Sequence, residues 1–222
     1  YGTTGERMIL RLYAGDYSMG SEFWAAEPPL FEAEVIGTAP IEILELYRDT
    51  GVVYTHPVRE PRPGEQLLLK LVWQGARSKW RNRPAIWDGS LHLSGGRFRS
   101  VQTFAFDSPD QGIVEQKERE IRWRSSTAGD PDGLFLDIDA GEATEVTFLS
   151  GPASFKFHLR DLAQGPLVVE AGGIDQRVTA AWVGRNPGPA EARFTFRDDA
   201  AGPGTHAYWL RVIQRDGAMA WT

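Results

Sequence analysis

Apolar and polar residues alternate with a period of two along most of this chain. In 8–13, Met8, Leu10 and Leu12 fall on one face and Ile9, Arg11 and Tyr13 on the other; in 31–36, Phe31, Ala33 and Val35 share a face. A period of two belongs to an extended strand, whose successive side chains point to opposite sides. The same pattern predicts strands at 41–47, 52–54, 67–73, 90–93, 98–106, 134–138, 145–149, 154–159, 167–170, 177–183, 193–196 and 206–213. Turn residues punctuate them. Asp49-Thr50-Gly51 joins 41–47 to 52–54, and Ala171-Gly172-Gly173-Ile174-Asp175 joins 167–170 to 177–183, both as hairpins. Helical periodicity is nearly missing. Its best candidate, 113–124, is rich in Glu, Lys and Arg but ends in the alternating run Glu120-Ile121-Arg122-Trp123-Arg124, so at most one helical turn is predicted there.

About fifteen short strands at this spacing define an all-β protein built from antiparallel β-sandwiches. Loop-like stretches at 75–83 and 184–189 bracket an insertion. The expected division is an Ig-like outer sandwich made of 1–75 and 190–222, with a second β-sandwich, 76–189, inserted into it. Each part is of ordinary domain size. One larger sandwich is the competing division. The stretch 125–133 reads as a loop, with Asp130-Pro131-Asp132-Gly133 as a turn between strands, and Asp198-Asp199 reads as part of a solvated loop.

Composition narrows the function more than the fold. The 222 residues include 24 Gly and 14 Pro, which suits short strands joined by tight turns. Eight Trp, 11 Phe and 6 Tyr supply a core and exclude global disorder. Cysteine is absent, which removes disulfide scaffolds, thiolate zinc sites and Cys nucleophiles. The 24 Lys+Arg against 30 Asp+Glu leave a net charge of −6, which argues against nucleic acid as a partner. No apolar run is long enough for a membrane span. The chain starts at Tyr1 with no signal pattern, and the expectation is a piece of a longer polypeptide.

Candidate chemistry is sparse. His56, His92, His158 and His206 form no HxH or HExxH pair, so solvated or hydrogen-bonded histidines are expected. Asp130, Asp132 and Asp137 are the candidate metal ligands, because hard carboxylate oxygens suit calcium; their spacing is not that of an EF-hand, and the turn is the competing reading. No G-x-S-x-G elbow or phosphate-binding loop occurs. Trp73, Trp80 and Trp87 lie seven residues apart, with Arg77, Lys79, Arg81 and Arg83 between them. Trp80 with Arg77, Arg81 and Arg83 is the candidate site for a carbohydrate or an anion, through aromatic stacking and charge-assisted hydrogen bonds. The competing expectation is that Trp73 and Trp87 sit in strands and pack in a core.

The ends of the chain carry a family resemblance. Tyr1-Gly2-Thr3-Thr4-Gly5-Glu6-Arg7-Met8-Ile9 resembles the Tyr-Ala-Thr-Thr-Gly-x-Arg-Ile segment that follows the catalytic barrel in a large bacterial family of PHP-like metal-dependent hydrolases. Met19-Gly20 is similar to that family's small-Met-Gly step. Pro40-Ile41-Glu42 with Val52-Val53-Tyr54 resembles its tail hairpin, and Trp87-Asp88-Gly89 and Gly95-Gly96-Arg97 resemble marks of its longer members. Tyr208-Trp209-Leu210-Arg211-Val212, with Gln214, Asp216-Gly217 and Ala220-Trp221, resembles its C-terminal strand pair. Gly2 departs from the family's Ala.

The resemblance implies a noncatalytic C-terminal accessory region of a phosphoesterase-type hydrolase. Its partner would be the upstream barrel of the same polypeptide, which it would cap, flank or help to oligomerise. The family's His and Asp metal ligands lie in that barrel, so the divalent metal is expected there and no cofactor in this chain. Relatives often carry signal sequences, which is compatible with an exported parent. The alternative reading is a carbohydrate- or anion-binding module using the Trp80/Arg region; a third is an independent enzyme with groups gathered from several strands.

Overall fold

The computed structural model describes residues 1–58, 63–77 and 84–222. The chain divides into two compact units, Tyr1–Glu60 with Asn186–Thr222, and Pro61–Arg185. The first is discontinuous and the second is inserted into it. The strands begin with β1 (Gly2–Thr3), β2 (Ile9–Ala14), β3 (Tyr17–Ser18), β4 (Leu30–Ile36), β5 (Ile41–Arg48) and β6 (Gly51–Thr55) in the outer unit. The inserted unit holds β7 (Leu67–Ala76), β8 (Ala85–Ile86), β9 (Gly89–Leu93), β10 (Arg97–Phe104), β11 (Gly112–Gln116), β12 (Glu120–Arg124), β13 (Ser126–Thr127), β14 (Pro131–Asp139), β15 (Glu145–Ser150), β16 (Ser154–His158), β17 (Leu167–Glu170) and β18 (Ile174–Gly184). Then β19 (Glu191–Arg197), β20 (Tyr208–Gln214) and β21 (Met219–Trp221) complete the outer unit. All strand pairings are antiparallel among the described residues, and the fold is an all-β sandwich architecture.

The outer unit stacks a sheet of order β1-β21-β20-β5-β6 on one of order β19-β4-β2-β3. Alternation explains the packing. Leu10, Leu12 and Ala14 of β2 and Phe31, Ala33 and Val35 of β4 face inward, and they share one core with Leu44, Leu46, Leu210, Val212 and Ala220. Each such fully buried Leu, Val or Phe side chain contributes roughly 1.5–3 kcal/mol relative to exposure. Asp49, at φ +53°, turns the β5/β6 hairpin as expected from its turn residues. Asp198 departs from the expected solvated loop. It is buried, because Arg48 donates to its Oδ2 at 2.7 Å and Tyr208 Oη at 3.1 Å.

The inserted unit stacks β10-β14-β7-β18-β17 on β11-β12-β9-β15-β16, with β8 and β13 as a small extra pair. Its core gathers Leu69, Leu71 and Trp73 of β7 with Leu91, Leu93, Ile121, Trp123, Val146 and Phe148. The boundary therefore differs from the expected 75/76 division. β7 is the central strand of its sheet, paired to β14 on one side and β18 on the other, and its inward side chains belong to the inserted core. The second boundary lies at Arg185/Asn186 rather than 189/190. The segment 113–124 forms a β11/β12 hairpin and not a helical turn, since Ile113, Ile121 and Trp123 all pack on that core.

Candidate functional site

The outward face of the sheet β11-β12-β9-β15-β16 forms an open cavity of about 510 Å³. Strand alternation builds it. Leu91 and Leu93 of β9 and Ile121 and Trp123 of β12 turn inward, so Ser90, His92, Arg122 and Arg124 turn out. Val146 and Phe148 of β15 turn inward, leaving Leu149 outward. Register then lays Glu115, Arg122, Ser90, Leu149 and Ser154 side by side across five strands. Asp88, Ser150 and Arg124 line one end of this row, and Val114 and Leu149 supply exposed apolar surface beside it.

Gly89 is needed here for close approach. A Cβ at this position would lie 2.4 Å from the Leu149 carbonyl oxygen and 2.9 Å from the Trp123 ring. Its absence lets Gly89 sit in register between Trp123 and Ser150, with the Trp123 ring packed on the core side. Trp87 and Asp88, just before it, are also fixed. Trp87 is fully buried and donates its indole N–H to Thr127 Oγ1 at 2.9 Å; Asp88 Oδ1 accepts the Ser125 backbone N–H at 3.0 Å. The Trp-Asp-Gly mark is thus a structural corner that positions the cavity's edge.

The charges of this face are unevenly partnered. Arg122 lies 3.9 Å from Glu115, a loose pair in solvent. The Arg124 side chain makes no ion pair or hydrogen bond among the described residues. Ser150 Oγ, on the inward side with Phe148, is shielded from solvent and has no hydrogen-bond partner among the described residues. Away from the cavity, Lys156 pairs with Glu145 at 2.7 Å, which holds the Glu145 carboxyl below its ordinary range.

Behind the same sheet lies a buried polar chain. Trp73 Nε1–H donates to Ser125 Oγ at 2.6 Å, and Ser125 donates onward to Asp132 Oδ2 at 2.5 Å. Asp132 is 1% exposed and its Oδ1 has no partner. Burial pushes this carboxyl up to about 7; the Ser125 hydroxyl opposes the shift, and the charges of Asp130 and Asp107 add to it.

The candidate metal ligands do not converge. Asp130 caps its own turn by accepting the Ala128 N–H at 2.6 Å. Asp132 lies within β14 instead of in the expected turn, because Pro131 is the strand's first residue and the turn falls one step earlier. Asp132 pairs across to Trp73 on the core side, whereas Asp137, five residues on, takes Arg185 at 2.8 Å. An odd separation along a strand puts the two on opposite faces. No group of three His, Cys, Asp or Glu suited to a metal occurs among the described residues.

Trp80, Arg81 and Arg83 lie outside the described residues, and Arg77 is exposed just beyond β7. Trp73 and Trp87 are fully buried; Trp73 lies in β7, whereas Trp87 follows β8. Trp73 stacks on Trp123 at 4.8 Å. Of the histidines, His206 is held between Asp49 Oδ2 at 3.0 Å and the Gly202 carbonyl at 3.1 Å, and the bond to Asp49 raises its pKa. Burial lowers that of His56, whose ring stacks on Phe194. Both are structural. The Arg122/Arg124 face was open to sequence reading only as the outward half of the 120–124 alternation.

No family model, curated protein or solved structure matches the chain. No helix among the described residues is long and apolar enough to cross a membrane.

Proposed function

We propose that this chain is a noncatalytic accessory β-sandwich region of a bacterial PHP-like metal-dependent hydrolase, working beside a catalytic barrel that precedes it in the same polypeptide. The observation that carries this reading is the convergence of the terminal and hairpin segments among those bearing the resemblance. Gly2 pairs with Trp221 and Thr3 with Ala220, so the first motif and the last lie side by side. The hairpin motif, β5 and β6, continues the same sheet beyond β20. The end and hairpin segments thus form one sheet of the outer unit, whereas Trp87-Asp88-Gly89 and Gly95-Gly96-Arg97 belong to the inserted unit. Gly2 replaces the family's Ala where a Cβ would come within 2.9 Å of the Trp221 ring.

The surface of the outer unit supports a docking role. Tyr13, Tyr17, Met19 and Leu30 are exposed, and Trp24 is wholly so. Exposed aromatic and aliphatic groups in one region mark contact surfaces. The divalent metal and the chemistry belong to the barrel in this reading, and this chain supplies support or shape.

The test is a phosphoesterase assay with p-nitrophenyl phosphate and Mn²⁺, run on residues 1–222 and on the polypeptide extended through its upstream barrel. Turnover by the longer protein and none by 1–222 is the expected result. Metal-dependent turnover by 1–222 alone, or none by the longer protein, refutes the reading.

A further inference from the structure

We infer that the outward face of β12, β9, β15 and β16 in the inserted unit is a binding site for an acidic sugar, a polyhydroxylated ring bearing one carboxylate. This does not rest on the accessory role, and it places an anionic ligand away from the 77–83 stretch.

The cavity has the volume of a small-molecule site, which is commonly 300–1,000 Å³. Arg122 and Arg124 are two residues apart on one strand face, so their Cα atoms stand about 7 Å from each other. A guanidinium presents a planar fork that matches a carboxylate with two parallel hydrogen bonds. Arg124 has that fork uncommitted among the described residues, while Arg122 shares its charge with Glu115.

Hydroxyl recognition comes from the remainder of the lining. Ser90 and Ser154 stand in the cross-strand row and present their hydroxyls on the outward face. Asp88 commits Oδ1 to the Ser125 N–H, which leaves Oδ2 to accept from a sugar hydroxyl. Leu149 and Val114 give an apolar strip for the C–H face of a ring.

The lining favours an anion, because Arg124 carries an uncommitted positive charge beside Arg122, against the negative charge of Asp88. A dianionic phosphate ester doubles the repulsion from Asp88 and the attraction to the arginines alike, so net charge does not rank it against a carboxylate. The carboxylate is assigned because its two coplanar oxygens match the uncommitted guanidinium fork of Arg124.

The experiment is an amide chemical-shift titration of the 15N-labelled chain with glucuronate, glucose and glucose 6-phosphate. Glucuronate is expected to move the Ser90, Arg122, Arg124, Ser150 and Gly151 amides saturably, with glucose weaker by at least tenfold. Arg124→Ala should weaken glucuronate by at least tenfold and Arg124→Lys by less. Arg97→Ala, on the other sheet and paired with Asp139, should leave binding unchanged. Arg124 is exposed, so its variants keep the fold, as an unchanged spectrum away from the cavity will verify. Absence of saturable shifts, equal binding of glucose, or indifference to Arg124→Ala overturns the site. Tighter binding of glucose 6-phosphate overturns the carboxylate assignment.

Discussion

The Ser125 hydroxyl lies 2.5 Å from Asp132 Oδ2 and is the one hydrogen-bond donor to a carboxyl that is almost wholly buried, among the described residues. Ser125 cannot satisfy both oxygens, and Oδ1 stays unpartnered. The neutral acid is the form this site tolerates, which is why the carboxyl rises to about 7.

The pH consequence has a definite sign. The folded-state value of about 7 lies above the ordinary 3.8, so between these two the folded chain binds more proton than the unfolded one. Stability therefore falls as pH rises through that window, and the loss is complete above about pH 7. A tenfold difference in proton affinity corresponds to about 1.4 kcal/mol. Asp132→Asn keeps the shape and the acceptor for Ser125 but cannot ionise. Relative to the natural chain, this variant should gain about 2–4 kcal/mol on moving from about pH 4.5 to pH 8. Urea unfolding at both pH values measures it, and an identical pH dependence for the two proteins would show that Asp132 does not titrate in this way.

The Arg48–Asp198–Tyr208 cluster should anchor the outer unit. Asp198 accepts from both Arg48 and Tyr208, linking β5, β20 and the segment after β19. Asp198→Ala would leave the Arg48 guanidinium, still partly reached by water, without this partner, along with the Tyr208 hydroxyl. The expected cost is about 2 kcal/mol, and less for Asp198→Asn, which can still accept from both donors. Denaturant melts followed through outer-unit residues such as Trp209 should show the loss.

Gln214 offers a second anchor of a different kind. It is fully buried, and its Oε1 accepts the backbone N–H groups of Thr38 at 2.7 Å and Ala39 at 3.0 Å. These donors belong to the turn between β4 and β5, which cannot pair them within a sheet. Gln214→Leu preserves bulk but strands both amides. A loss of about 2–3 kcal/mol is expected, together with faster hydrogen exchange at Thr38 and Ala39. Unchanged exchange at those two amides would contradict the assignment.

The strands of both units were legible because alternation reports which side chains face a core. It does not report which core. The alternation of Leu67 to Trp73 fits either sandwich, and only pairing with Leu136 through Asp132 and with Val178 through Gly184 assigns it. Asp130-Pro131-Asp132-Gly133 misled for a related reason. Its composition is that of a turn, but Pro is equally suited to a strand's first residue, and Asp132 then faces inward opposite Trp73. Arg122 and Arg124 were visible as outward positions. Their meeting with Ser90 and Ser154 depends on the order β11-β12-β9-β15-β16, which no local pattern encodes.

The docking role proposed for the outer unit turns on Trp24 and Tyr17. Tyr17 stacks on Phe23 at 4.3 Å, nearly parallel, which fixes an aromatic platform beside the fully exposed Trp24. A wholly exposed Trp contributes almost nothing to the stability of the chain that carries it, because it loses no solvent contact on folding. Trp24→Ser should thus leave the melting temperature of residues 1–222 unchanged within about 2 °C, since surface substitutions are commonly within 0.5 kcal/mol. In a polypeptide extended through the proposed barrel, the docking proposal expects the same substitution to remove a buried contact. The expected result there is a lower melting temperature of the barrel, reduced turnover, or both. Calorimetry on the two proteins separates these outcomes, and an equal null effect in both would remove Trp24 from the docking surface.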